Sequence, residues 1–381
     1  MVYLDHNATT PLDASARSAM LEQIDGDFGN PSSIHRAGRM ARAVVDDSRD
    51  RLAALLGAKP HEIVFTGGGT ESCNLGLMGI ARAHAVRGKH IITSAIEHHA
   101  VLHAAEHLQH FEGYDASILP VDSSGTVDPD QLAALIRPDT TIVSIMHANN
   151  ETGAIQPLEA IAALCHEKGV FLHTDAVQTF GKLPLTANLP GLSAISIAGH
   201  KFYGPKGVGA LWIKAGIALT RTAHGGSHEN SRRPGTENVA AIAGMAAAAE
   251  AVCARAESDT SRLTPLRERL WEAISNSCPQ AIRNGDSGLT LANTLNVSFP
   301  GADGEALLMG LDLEGVCVSS GSACMVGSIQ PSHVLLAMGV APVTALATVR
   351  YSLGHSSTEG DIDHAAAATA RVANLQKHLA A

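Results

Sequence analysis

Aromatic residues make up only 3% of this 381-residue chain. So few large rings argue against a β-sandwich core and suit close-packed helices on a sheet, as do the 36 glycines. Charged residues are sparse at 17% against 45% hydrophobic, a soluble globular profile. Positive charge is in short supply: 27 Lys and Arg face 37 Asp and Glu, a net charge of −10. That balance excludes a general nucleic-acid binder, though not a local basic patch. The six cysteines, Cys73, Cys165, Cys253, Cys278, Cys317 and Cys324, are scattered with no CxxC pair. A disulfide framework or zinc site is therefore not expected, and a reducing cytoplasm is the default compartment. Most of the 20 histidines are isolated, and the adjacent His98 and His99 diverge on either a helix or a strand, so no metal site is expected. No basic or apolar leader opens the sequence, no apolar run is expected to reach membrane-spanning length, and there are no internal repeats.

What is present is an alternation of short apolar runs with helix-length amphipathic segments. Strands are expected over 62–66, 90–94, 141–147, 170–174, 194–198 and 210–214, with helices such as 37–56, 129–136 and 158–168 between them. Continuous apolar strands alternating with helices mean an α/β, mostly parallel sheet covered on both faces. Ligands sit at the carboxyl ends of such strands. Near residue 240 the pattern changes: two helices, 239–256 and 262–277, precede a smaller α+β region. That region reads as strands at 294–299, 315–318 and 347–352 and helices at 304–313, 332–338 and 359–379.

Lys201 follows an apolar strand and opens the glycine-rich turn Gly204-Pro205-Lys206-Gly207, and Asp175 ends another apolar strand 26 residues earlier. A lysine with a strand-end aspartate is what pyridoxal phosphate requires: an amine to hold the aldehyde as a Schiff base, and a carboxylate to keep the pyridine nitrogen protonated. Read alone, Lys201 is a surface lysine and Asp175 a helix N-cap. Gly67-Gly68-Gly69-Thr70 joins a strand to a helix, where successive N–H groups and the Thr70 hydroxyl can cradle a phosphate. It has neither the lysine of a P-loop nor the spacing of a dinucleotide fingerprint. Gln178 and Asn150 are candidate donors to the cofactor's ring oxygen, Asn150 or alternatively to the substrate. His98 is a candidate ring-stacking and proton-relaying imidazole. Cys324, in a run of serine and glycine, suits a mobile loop more than a packed core. Arg350, the one charge in an apolar strand, calls for a carboxylate partner, either a structural acid or an amino-acid substrate.

These segments, in this order, resemble the NifS/IscS-type cysteine desulfurases, enzymes of the class-V aminotransferase family with PLP fold type I. The likeness includes Tyr3 to Pro11, Gly29-Asn30-Pro31-Ser32-Ser33, Thr70-Glu71-Ser72, Glu97-His98-His99, Asn149 to Gly153, Asp175 to Gln178, Gly199-His200-Lys201, Arg232 to Asn238 and Ser319 to Cys324. The resemblance implies an aspartate-aminotransferase-like fold. A large cofactor-binding domain spans 13–256. A small domain of 1–12 and 257–381 carries the cysteine loop at about 319–332. It implies that Lys201 carries pyridoxal 5'-phosphate and that Asp175 pairs with its ring nitrogen. Asn150, Gln178 and His98 would surround the ring, with Gly69, Thr70 and His200 at the phosphate. Asn30, Asn150 and Arg350 would bind substrate. Thr236 would reach the phosphate of a partner subunit, making a homodimer with shared sites.

The implied reaction converts L-cysteine to L-alanine. Lys201 or His98 moves the α-proton and the Cys324 thiolate takes the sulfur as a persulfide, for delivery to an iron–sulfur scaffold or other acceptor. A selenocysteine lyase or aminotransferase would leave Cys324 without a role, and a non-catalytic sulfur-trafficking subunit would not need Lys201 and Asp175. The sequence departs from the family pattern at three places. Ala198 stands where many relatives have a serine that helps hold the phosphate, Met325-Val326 follow Cys324 where small hydroxyl residues are common, and the chain ends at Ala381 without the longer tail with which some relatives grip a scaffold protein.

Overall fold

The computed structural model describes residues 1–26, 28–286, 288–320 and 330–380. Its largest sheet has seven strands in the order Ile63–Thr66, Gly209–Ile213, Leu192–Ala198, Phe171–Asp175, Thr140–Ser144, His90–Ser94 and Asp115–Leu119. Only Gly209–Ile213 runs antiparallel to its neighbours. The inner strands are buried at nearly every position, which is why they read as unbroken apolar runs. Asp115–Leu119, at the edge, is buried only at Leu119 and lacks that signature. Strand 141–147 of the sequence reading ends at Ser144. Beyond it His147 still donates its N–H to Asp175, but the chain turns away into the bend that carries Asn149 and Asn150.

Helices cover this sheet for legible reasons. Arg36–Leu56 buries Ala41, Val45, Ser48, Leu52 and Leu56, a stripe three or four residues apart, and Gly57 ends it at φ 66°. The expected helices 239–256 and 262–277 are one 39-residue helix, Val239–Ser277, with Pro265 inside. An interior proline costs about 3 kcal/mol. Burial of both halves offsets it: Ala241, Ile242, Met245, Ala248 and Val252 join the core beneath the large sheet, while Leu263, Leu266, Leu270 and Ile274 join a second core. This helix also corrects the reading that no apolar run is long enough to cross a membrane. By length and composition one stretch of it is (mean hydropathy 1.5), but 56% of that stretch is buried inside the protein.

The second core lies under an antiparallel sheet of Thr348–Ser352, Thr294–Ser298 and Ile282–Asn284. Val2 and Leu4 belong to this core, because Val2–Tyr3 pairs in parallel with Val316–Cys317. The chain's first residues thus enter among its last strands and then pass across the carboxyl ends of the large sheet.

Candidate active site

Five parallel strands of the large sheet deliver their carboxyl ends to one edge, where a cleft of about 440 Å³ opens. Strand Leu192–Ala198 runs into a tight turn, Gly199–Lys201, that places Lys201 on the cleft wall. Its Nζ donates to the carbonyls of Asn7 (2.6 Å) and Ala8 (2.8 Å). The N-terminal segment is held over the lysine from the other side too. Thr10 donates from its N–H and hydroxyl to the His200 carbonyl, and the His200 ring meets the Thr9 hydroxyl at 3.2 Å. Burial first, then Lys201 and Lys206, push His200 down to about 4, so its ring is neutral.

Asp175, nearly buried, ends the neighbouring strand and accepts the Val177 N–H at 2.9 Å. A turn follows it, not a helix, so the alternative of a helix N-cap is absent. Gln178 lies in that turn and lines the cleft, but its Nε2 donates to the Asn7 carbonyl at 3.0 Å.

Helix Gly69–Ala83 starts at the cleft with no side chain capping it, and Gly68 sits at φ 150°. A Cβ on Gly69 would stand 2.9 Å from Val177 Cγ2 and 3.2 Å from Ala198 Cβ, so only glycine allows this close approach. The first-turn N–H groups and Thr70 thus face the cleft unopposed by any cap. A uncapped helix start, a strand-end carboxylate and a lysine on one wall are the donor set that a phosphorylated pyridine aldehyde needs, and the residues present fit that group.

His98 caps helix His99–Glu112, its Nδ1 accepting the Ala100 N–H at 3.1 Å. The ring proton therefore sits on Nε2. Burial, reinforced by Lys201, holds the imidazole below its ordinary range and neutral, although Asp175 opposes this. Arg350, on strand Thr348–Ser352, has a structural acid as one partner: Nη2 meets Asp5 at 2.8 Å and Nη1 the Asn150 carbonyl at 3.1 Å. Its Nε is buried and has no hydrogen-bond partner among the described residues.

The cleft therefore gathers Gly69, Thr70, His98, Asn150, Asp175, Gln178, His200, Lys201 and Arg350. Asn30 and Thr236 are exposed and do not line it. Cys324 lies outside the described residues. On one side of it Ser319 donates its hydroxyl to Asp5 at 2.9 Å, and on the other Gln330, Pro331, Ser332 and His333 line the cleft. Cys73 also reaches the cleft, but burial, then Asp175, raise its thiol well above the usual range. It is packing, not a nucleophile.

Reasoning from sequence assigned no role to Asp5, Asn7 or Glu97. Asn7 links the site together: its side chain bonds Thr294, Asn293 and the Asn150 carbonyl, and its own carbonyl takes Lys201 and Gln178. Glu97 is fully buried behind His98, bonded to Ser94 and the Met146 N–H, and burial raises it to about 8. Their signal was membership of the recurrent segments at 3–11 and 97–99, which gives no role.

Residues 2–364 match the family model described as aminotransferase class-V. The chain is 46% identical over 363 residues to a cysteine desulfurase IscS of Dictyoglomus turgidum, covering 95% of this chain and 92% of the relative. It is 44% identical to another of that name from Methanosarcina thermophila, covering 95% and 89%. A solved structure titled NifS-like protein superposes with a TM-score of 0.92 at 36% identity, over 98% and 99% of the two chains. SspA in complex with cysteine gives 0.81 at 34%, over 93% and 99%. Fold, cleft and sequence agree across nearly the whole length, and the chain belongs to the class-V aminotransferase family.

Proposed function

We propose that this protein is a pyridoxal-phosphate-dependent cysteine desulfurase, converting L-cysteine to L-alanine and holding the released sulfur as a persulfide on Cys324. The observation that carries the reading is the meeting of Lys201, Asp175 and the uncapped Gly69 helix start on one cleft that also holds Arg350. Lys201 would hold the cofactor, Asp175 its ring nitrogen, and Gly69, Thr70 and His200 its phosphate. Bound there, it supplies an electron sink for the pair left when the substrate's α-proton departs. Arg350, held by Asp5 and lining the cleft, would take the substrate carboxylate. Lys201 Nζ takes the α-proton once its amine is free, with neutral His98 beside it as relay.

Cys324 Sγ attacks as a thiolate on the substrate sulfur. The new S–S bond forms as the C–S bond breaks, that bond's electron pair goes to carbon, and protonation completes alanine. Cys324 stands six residues from Gln330, which lines the cleft. The similarity to proteins named IscS supports delivery of the sulfur to an iron–sulfur scaffold or another carrier.

A homodimer is part of this reading. Asn30 and Thr236 are exposed and do not line the cleft of their own chain, and Ile24, Phe28 and Ile34, close to Asn30 in sequence, are 63%, 96% and 89% exposed. A second copy would cover those apolar side chains and bring Thr236 to its neighbour's cleft.

The test is to add L-cysteine to the cofactor-loaded chain without reductant. The expected result is alanine in step with persulfide on Cys324, both abolished in Cys324→Ala. Alanine formed undiminished by Cys324→Ala would defeat the proposal.

A further inference from the structure

A second cavity, of about 290 Å³, lies between the two cores, and Lys201 lines it as well as the cleft. Lys182 stands on its wall. This second lysine has no part in the reaction as described above. Its Nζ reaches Gln178 Oε1 at 3.5 Å, and Gln178 Nε2 donates to the Asn7 carbonyl at 3.0 Å, the same oxygen that takes Lys201 Nζ at 2.6 Å. An ammonium has only hydrogens to offer, so it must meet the amide by its oxygen. Lys182 therefore turns the N–H end of Gln178 toward Asn7 and the site.

We propose that Lys182 is a positioning residue for Lys201: its ammonium orients the Gln178 amide and, as a neighbouring cation, biases the Lys201 nitrogen toward its unprotonated, base-competent form.

The charges around the pair agree with this. Lys201 and Arg350 face Lys182 as cations, and with burial as the first cause they hold it down to about 7. His6, which also lines the cavity, is pushed by burial to about 4 and stays neutral. His98 and His200, beside Lys201, are held neutral as well. Asp175 faces His98 in the cleft, and Asp259 and Arg267 stand on the wall of the second cavity. The repulsion is mutual: a proton on either amine makes the other's easier to lose. A lysine activated by a second cation is an established device for making an amine basic enough to react near neutrality.

This inference rests on the reading of Lys201 as the cofactor amine, and its test does not depend on turnover. The cofactor-loaded wild type, Lys182→Met and Lys182→Arg are titrated with acid and base while the absorption of the bound cofactor is followed. The pH dependence of kcat/KM for alanine formation is measured in parallel. Without the cation Lys201 keeps its proton to higher pH. The expected result is a rise in the Lys182→Met midpoint by about one pH unit, with the ascending limb of kcat/KM moving the same way. Lys182→Arg keeps the charge and should titrate at or below the wild-type midpoint. A Lys182→Met midpoint equal to wild type overturns the proposal, as does a Lys182→Arg midpoint that rises with it. Should Lys182→Met fail to fold, Lys182→Gln is read by the same criterion. A wild-type chain with no cofactor band fails the reading of Lys201 itself. A band indifferent to residue 182 fails only the present inference.

Discussion

At position 198 the strand that leads to Lys201 delivers a methyl group to the cleft, 3.2 Å from where a Cβ on Gly69 would stand. A serine there would place a hydroxyl beside the uncapped helix start, adding one donor to the phosphate cradle. A hydrogen bond of this kind contributes about 0.5–1.5 kcal/mol net. Ala198→Ser is therefore expected to tighten cofactor binding roughly 2- to 10-fold, measured by titrating the cofactor-free chain and following its absorption. Unchanged or weaker binding would place the phosphate away from residue 198. At this scale the sequence singled out Lys201 and Asp175 by their strand-end positions, and the structure brings both to one cleft. Asp5, Asn7 and Lys182 stayed hidden because their roles arise from contacts with no local signature. Asn7 meets Thr294 across 287 residues and Asp5 meets Arg350 across 345.

Among the elements, helix Gly69–Ala83 must lie close against the sheet for its first turn to open on the cleft. Gly76 permits this: a Cβ there would stand 2.7 Å from His173 Cδ2 and 3.2 Å from Leu211 Cδ1. The His173 ring cannot yield, since both its nitrogens are held at 2.8 Å by the Ser144 and Ser196 hydroxyls within the fully buried sheet. Gly76→Ala is expected to lower stability by about 1–3 kcal/mol, the usual range for overpacking. Denaturant unfolding measures this, with weaker cofactor retention following as the helix start shifts. Stability equal to wild type would mean that helix and sheet can separate without consequence. The inner strands were legible because burial on both faces leaves a continuous apolar run. Asp115–Leu119 was not, because an edge strand with one wet face carries no such run. The single helix Val239–Ser277 read as two because Ser258, Asp259, Thr260, Ser261 and Pro265 are poor local helix formers. Tertiary burial on both sides overrides that preference, and no local pattern announces it.

For the molecule as a whole, the decisive question is whose cleft Thr236 completes. The loop before it is firmly held: buried Glu229 accepts from Arg49 at 2.7 Å and the Phe65 N–H at 2.9 Å. Glu229, Asn230 and Ser231 all have left-handed φ, at 48°, 54° and 62°. Each such residue is strained by about 1–3 kcal/mol, so the loop's shape is imposed by its surroundings. Arg233 is paired with Glu71 beside the glycine turn, yet Thr236 remains exposed. A firmly held loop presenting an exposed threonine that does not line its own cleft suits a contact made across an interface. Lys201→Ala removes the proposed cofactor amine, and Thr236→Ala removes the proposed phosphate donor. If the donor crosses between subunits, a hybrid of the two variants pairs the intact Lys201 of one chain with the intact Thr236 of the other in a single cleft. Random pairing of equal amounts should restore about a quarter of all clefts. The signal is alanine formation, at a cofactor concentration too low for Thr236→Ala alone, that exceeds the sum of the two parents. If Thr236 serves its own chain, every cleft in the mixture lacks either the lysine or the threonine, and refolding the chains together gains nothing over the parents kept apart.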